Sequence, residues 1–241
     1  KLKAGTYVLN TRKNQKEISQ QNILESIEKV LLGPERRGRA ISTNEKEIIA
    51  YHEAGHALVA ASLKGADPVH KISIISRGRA GGYTLKLPLE ESSLRTKTQF
   101  MNDLAILLGG YVSEQLTFGD VTTGASNDLQ NASEIAHRLV TKFGMSDKLG
   151  PITYGDTEEM VFLGRGIASG KHYSEKTAAD IDKEIHTFIT RALETTKKII
   201  SSRAKVLQSI ARKLMAQETI EQEEFAALMR SFKLKPIAIM D

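Results

Sequence analysis

The chain has 241 residues, with 34 lysines and arginines against 29 aspartates and glutamates, a net charge of +5. The 40% hydrophobic and 26% charged content is that of an ordinary globular protein, and the basic excess is scattered, which argues against a nucleic-acid partner. Cysteine is absent, so disulfide frameworks and thiolate metal sites are both excluded, and any metal must be held by imidazole and carboxylate.

Residues 1–18 are basic and polar and carry no assignable pattern. From Ser19 onward, Ile23, Leu24, Ile27, Val30 and Leu31 recur at helical spacing, with Ser19 placed to cap the helix and Gly33 and Pro34 to stop it. The charged stretch 34–39 reads as a linker, which puts a domain boundary near residue 40. A second helix is expected after Ser42, with Glu45 completing a capping box, and runs to about Leu63. Residues 69–75 and 82–87 are short β-rich runs joined by a loop over 77–81. Helical periodicity returns over 98–116 and 127–143. It returns again from Glu175, capped by Ser174, as one long stretch to about Ala216, and a last short helix covers 221–231. There is no internal repeat. The fold class is therefore mainly α (α+β), a helical domain with one small β-sheet. No apolar run approaches the roughly 20 residues needed to span a bilayer, and the chain starts at Lys1 without an initiator methionine, so it reads as a soluble piece of a longer protein.

The second predicted helix carries His52-Glu53-Ala54-Gly55-His56. Residues four apart share a helix face, so His52 and His56 project side by side and can bind one Zn²⁺ at about 2.0–2.1 Å each. Glu53, beside the first ligand, can take the proton of a zinc-activated water and later return it to a leaving amine. The alternative is an amphipathic helix whose histidines fall four apart by chance, an event on the order of one in a hundred for a chain of this size. Gly55 in mid-helix weakens that alternative, since it costs about 1 kcal/mol relative to alanine unless a close approach needs it.

A catalytic zinc usually has three protein ligands. A metzincin continuation would need glycine and histidine where Val59 and Ser62 stand, and a thermolysin-like glutamate would stand where Ser76 does. Glu114, on a helix that also carries Gly109 and Gly110, and Asp128 are the candidates that remain. His70 and His137 are weaker ones, because a lone histidine is more often packed or exposed. Spacing alone leaves this choice open.

Several blocks resemble the peptidase domain of FtsH-type AAA+ metalloproteases. They are residues 51–58 around the two histidines, Val69-His70-Lys71-Ile72-Ser73-Ile74, Thr122-Thr123-Gly124-Ala125-Ser126-Asn127-Asp128-Leu129, Phe143-Gly144-Met145-Ser146 and Ser174-Glu175-Lys176-Thr177. The likeness runs from about residue 19 to 228. It implies a zinc endopeptidase with Glu53 catalytic, one Zn²⁺ per subunit on His52, His56 and Asp128, and Glu114 close to the site but outside the ligand set. It also implies that residues 1–40 are the end of an ATPase lid with its linker, and that 41–241 form the peptidase domain. Substrate polypeptide would add as a strand along an exposed sheet edge matching Gly82, Tyr83, Thr84, Leu85 and Lys86; the plainer reading is an edge strand guarded by Lys86. The parent would be a homo-hexamer that degrades unfolded or misassembled proteins. It would be anchored in a bacterial inner or organellar membrane through segments not in this chain, with this domain on the cytoplasmic or matrix side. ATP would be used only by the missing ATPase domain, because no phosphate-binding G-x-x-x-x-G-K-[ST] loop is present; Gly170-Lys171 is the nearest approach. The sequence departs from the usual family pattern at Tyr111-Val112-Ser113-Glu114-Gln115, which leaves the ligands untouched.

Overall fold

A computed structural model describes residues 19–34, 41–77, 81–87, 94–154 and 173–238. The boundary near residue 40 and the Gly170-Lys171 pair lie outside the described residues.

Helix α1 (Gln20–Leu32) begins where expected, with the Ser19 side chain accepting from the Asn22 N–H, and ends at Gly33, whose φ of 86° is a conformation open to glycine. Asn22, Ser26 and Glu28 are buried, while Ile23 and Val30 are 44% and 48% exposed. The partners of Glu28 account for its burial. Its carboxylate accepts from Lys71 at 2.6 Å, from Arg77 at 2.9 Å and from the Tyr83 hydroxyl at 3.3 Å, which pins α1 to the sheet.

Helix α2 (Thr43–Ser62), capped by Ser42 on the Glu45 N–H, is the axis of the domain. Every residue from His52 to Ala60 is buried. A helix enclosed all round has to meet its neighbours with small residues, and Ala54, Gly55, Ala57 and Ala60 provide them. Its main partner is α3 (Lys97–Phe118), which opens with a reciprocal capping box between Thr96 and Gln99 and ends on left-handed Gly119. Where the two helices cross, a Cβ on Gly109 would lie 2.9 Å from the Gly55 carbonyl, and one on Gly55 would collide with the Gly109 carbonyl. Gly55 is thus required by backbone contact, which accounts for its mid-helix cost.

The sheet has strand order β2-β1-β3, all antiparallel, with β1 at Val69–Ser73, β2 at Tyr83–Lys86 and β3 at Thr219–Glu221. Ile72 pairs with Thr84 on one side and Ile220 on the other. Among the described residues β2 pairs only with β1, so its other edge is free.

Helix α4 (Ser126–Thr141) follows a short 3₁₀ turn at Thr123–Ala125. The expected single helix from Glu175 to about Ala216 is in fact two, α5 (Glu175–Ser202) and α6 (Ala204–Gln217). The break is at Arg203, at φ −123° and ψ 28°, whose guanidinium donates to the Lys235 carbonyl. Turning the chain there lets Val206, Leu207, Ile210, Ala211 and Leu214 enter the core, α6 packing on α2. Strand β3 lies just before α7 (Gln222–Ser231), where only the helix was expected.

Candidate metal centre

On α3, Ile106, Gly110 and Glu114 stand at i, i+4 and i+8, a single stripe that faces the histidines of α2. Each does something different. The Ile106 carbonyl lies 2.7 Å from His56 Nδ1, and Glu114 Oε1 lies 2.6 Å from His52 Nδ1. Gly110 leaves the room the His52 ring occupies, since a Cβ there would come within 2.5 Å of both ring nitrogens.

Those two contacts determine the tautomers. A carbonyl oxygen and a carboxylate can only accept, so both Nδ1 atoms carry the proton. The Nε2 atoms then face inward, 3.0 Å from each other. Asp128 completes the group, its Oδ2 lying 3.2 Å from His52 Nε2 and 3.4 Å from His56 Nε2. Four tetrahedral ligands about 2.0–2.1 Å from one ion stand about 3.3 Å apart. The triangle of 3.0, 3.2 and 3.4 Å matches three corners of that figure. His52, His56 and Asp128 are also the one group among the described residues whose donor atoms converge closely enough to hold a metal ion.

Asp128 comes from the first turn of α4, where the helix dipole favours a carboxylate. Glu114 brings it within reach. Its Oε1 holds His52 while its Oε2 accepts from the Thr122 N–H at 2.6 Å, fixing the loop that leads into α4. One buried carboxylate therefore supports a candidate ligand from each of the two segments, the outer support that metal-bound histidines generally have. Glu114 lies outside the ligand triangle. His70 and His137 are elsewhere, the first near Gln222 and the second near Thr141.

Glu53 is buried beside the triangle. Burial pushes its carboxyl up, and the neighbouring imidazoles and the Thr84 hydroxyl only partly offset that. Burial also opposes charge on His52, but the carboxylates of Asp128 and Glu114 outweigh it and raise its pKa to about 10. Asp128 is held well below the usual carboxylate range, its burial overcome by the two histidines. Three carboxylates around two imidazoles make a pocket that favours a cation. Strand β2 runs alongside, with Gly82 and Thr84 against Glu53.

The expected residues Glu53, His52, His56 and Asp128 thus come together, with Gly82 and Thr84 adjoining. Tyr83 turns the other way, its hydroxyl on Glu28, and Lys86 pairs with Asp103 of α3. The roles of Ile106, Gly110 and Thr84 went unread in the sequence. The i, i+4, i+8 stripe ending at Glu114 was the available signal for the first two.

The helical fold and the two-segment His-His-Asp group define a metallopeptidase of the H-E-x-x-H kind. The sequence profile described as peptidase family M41 matches residues 39–228, and the chain belongs to that family. Similar relatives include the ATP-dependent zinc metalloprotease FtsH 1 of Thermomicrobium roseum, 46% identical over 229 residues, covering 95% of this chain and 35% of the relative. The FtsH 2 of Alkaliphilus metalliredigens is 47% identical over 218 residues, 90% of this chain and 32% of the relative. The FtsH of Caldicellulosiruptor bescii is 44% identical over 222 residues, 92% and 36% respectively. The chain spans about a third of the length of these curated relatives.

Proposed function

We propose that this chain is the zinc-dependent endopeptidase part of an ATP-driven protease, with His52, His56 and Asp128 as ligands to one zinc per subunit and Glu53 as the general base. The observation that carries this reading is the convergence of two imidazole nitrogens and a carboxylate oxygen at tetrahedral spacing, with a buried carboxylate beside them. When bound, zinc supplies Lewis acidity toward a peptide carbonyl and toward water.

This chain's own residues do the rest. The Nδ1–H bonds to Glu114 and the Ile106 carbonyl lock both imidazoles, so no rotamer search accompanies turnover. The Glu53 carboxylate accepts a proton from the attacking water and returns it to the leaving amine. The free edge of β2, with Gly82 leading into Tyr83, Thr84, Leu85 and Lys86, offers backbone N–H and C=O groups to an extended substrate. That mode reads main chain rather than side chains and suits unfolded or misassembled proteins of many sequences.

The larger assembly belongs to the same proposal. The ATPase lies upstream, in segments outside this chain, with α1 as the end of its lid; Ile23 and Val30 facing outward suit a helix with a further partner there. The parent is a homo-hexamer held in a bacterial inner or organellar membrane by those segments, with this domain on the cytoplasmic or matrix side. No described helix is long and apolar enough to cross a membrane.

Glu53→Gln is the test. It removes the base but no ligand, so zinc content stays at the wild-type level while cleavage of an unfolded protein is lost. Cleavage at the wild-type rate by that variant overturns the reading.

A further inference from the structure

Glu53 follows His52 by one position, about 100° further round α2, so its side chain does not share the ligand face of the helix. It leans toward the sheet, where Thr84 of β2 and Gly82, just before that strand, receive it. Thr84 Oγ1 lies 2.8 Å from Glu53 Oε2 and 3.2 Å from the Glu53 carbonyl. A hydroxyl has one proton to donate, and the shorter contact to the charged acceptor takes it. Among the described residues no other hydrogen bond reaches the Glu53 carboxylate.

Two positions earlier, just before the strand begins, Gly82 meets the same side chain. A Cβ on Gly82 would lie 2.9 Å from Glu53 Cγ, 2.9 Å from Oε1 and 2.8 Å from the Ser73 carbonyl. Gly82 is not among the glycines with positive φ, so its backbone conformation is open to any residue. What glycine provides there is space. One carboxylate oxygen is thus held by a donor and the other has a wall moved back for it.

Resting on the zinc-peptidase reading, we propose that Gly82 and Thr84, at the start of β2, seat the general base, with Thr84 a positioning residue that holds the Glu53 carboxylate toward the ligand triangle. A glutamate has three side-chain torsions and a base misplaced by 1 Å loses rate steeply. The hydroxyl fixes those torsions. The same strand offers its outer edge to substrate backbone, so the element that pairs with substrate also aligns the base. Tyr83, between the two, is tied on the opposite face to Glu28 of α1, which steadies the strand from behind.

The test compares Thr84→Val, which keeps shape and β-branching but removes the donor, with Thr84→Ser, which keeps the donor. Both are measured as zinc-loaded protein in the full parent chain, on an unfolded polypeptide substrate, beside wild type and Glu53→Gln. The expected result for Thr84→Val is a fall of about tenfold in kcat, equivalent to about 1.4 kcal/mol, with KM and zinc content unchanged. Thr84→Ser stays within about threefold of wild type. Gly82→Ala, which crowds Oε1 from the other side, also lowers kcat with zinc retained. Wild-type kcat in Thr84→Val, a loss confined to KM, or equal loss in Thr84→Ser would each overturn the proposal. Wild-type cleavage by Glu53→Gln instead brings down the zinc-peptidase reading and this proposal with it, so the two failures are told apart by different variants.

Discussion

Gly110→Ala adds a single methyl group on α3, and its effect on the metal centre can be worked from distances. The new Cβ would lie within 2.5 Å of both nitrogens of His52, whereas ordinary contact begins near 3.4 Å. The neighbouring atoms are an imidazole wedged between two helices, so the ring must move by about 1 Å. Zinc ligation tolerates displacements of about 0.2 Å. The same movement breaks the 2.6 Å bond to Glu114, so His52 loses both its place and its orientation. Perturbing only the outer support of a ligand typically costs 10–100-fold in affinity, and displacing the ligand itself should cost more than about 100-fold. The fold should be hurt far less. Overpacking costs about 1–3 kcal/mol, but replacing a mid-helix glycine by alanine returns about 1 kcal/mol. For a chain of this size the metal-free protein should melt no more than about 8 °C lower. The assay pairs a chelator-competition titration of zinc with a thermal melt of the metal-free protein. Zinc affinity within threefold of wild type would refute the packing argument, as would a collapse of the fold that removes metal binding only indirectly.

Glu114→Gln should retain a ligand triangle but lose the carboxylate that orients His52 and the Thr122 loop, lowering zinc affinity about 10–100-fold by the same titration. Glu28→Gln leaves Lys71 and Arg77 short of their shared carboxylate, a change worth about 3–5 kcal/mol where no relief exists. Here α1 can lift off the sheet, so the expected outcome is faster hydrogen exchange over 19–34, with the melting of the remainder little changed. The alkaline side carries a related signature. Burial opposes charge on Lys71, but hydrogen bonds to Glu28 and Glu221 raise its pKa, while burial and Glu28 raise that of Tyr83. A raised folded-state pKa contributes stability that is complete below the unfolded value and lost as pH rises through the folded one. Docking of α1 should therefore weaken above about pH 10, and Lys71→Met should flatten that dependence.

What could be read from the sequence was what is local to it. Ser19, Ser42 and Ser174 cap helices through atoms three residues away, and the His52–His56 pair is visible because a helix has a fixed period. Asp128 stands 76 residues from His52, and a loop whose shape depends on the Glu114–Thr122 bond brings it there, so spacing could not choose between Asp128 and Glu114. Family resemblance made that choice. Strand β3 is three residues long and follows Glu218, a non-glycine at φ 63°, so no alternation had room to register. Arg203 has ordinary helix propensity, and the break there reflects the demand of α6 for the core rather than any local signal. Glu28 shows the converse: nothing in its neighbourhood in the sequence announces a buried glutamate, and its three partners come from residues 71, 77 and 83.

The central claim is that one zinc sits on His52, His56 and Asp128. The most direct measurement is anomalous diffraction from crystals of the zinc-loaded protein, recorded on either side of the zinc absorption edge. The expected result is one peak per chain, about 2.0–2.1 Å from His52 Nε2, His56 Nε2 and an Asp128 carboxylate oxygen, with Glu114 out of bonding range. A peak bonded to Glu114 in place of Asp128, or none at the histidines, would contradict the account.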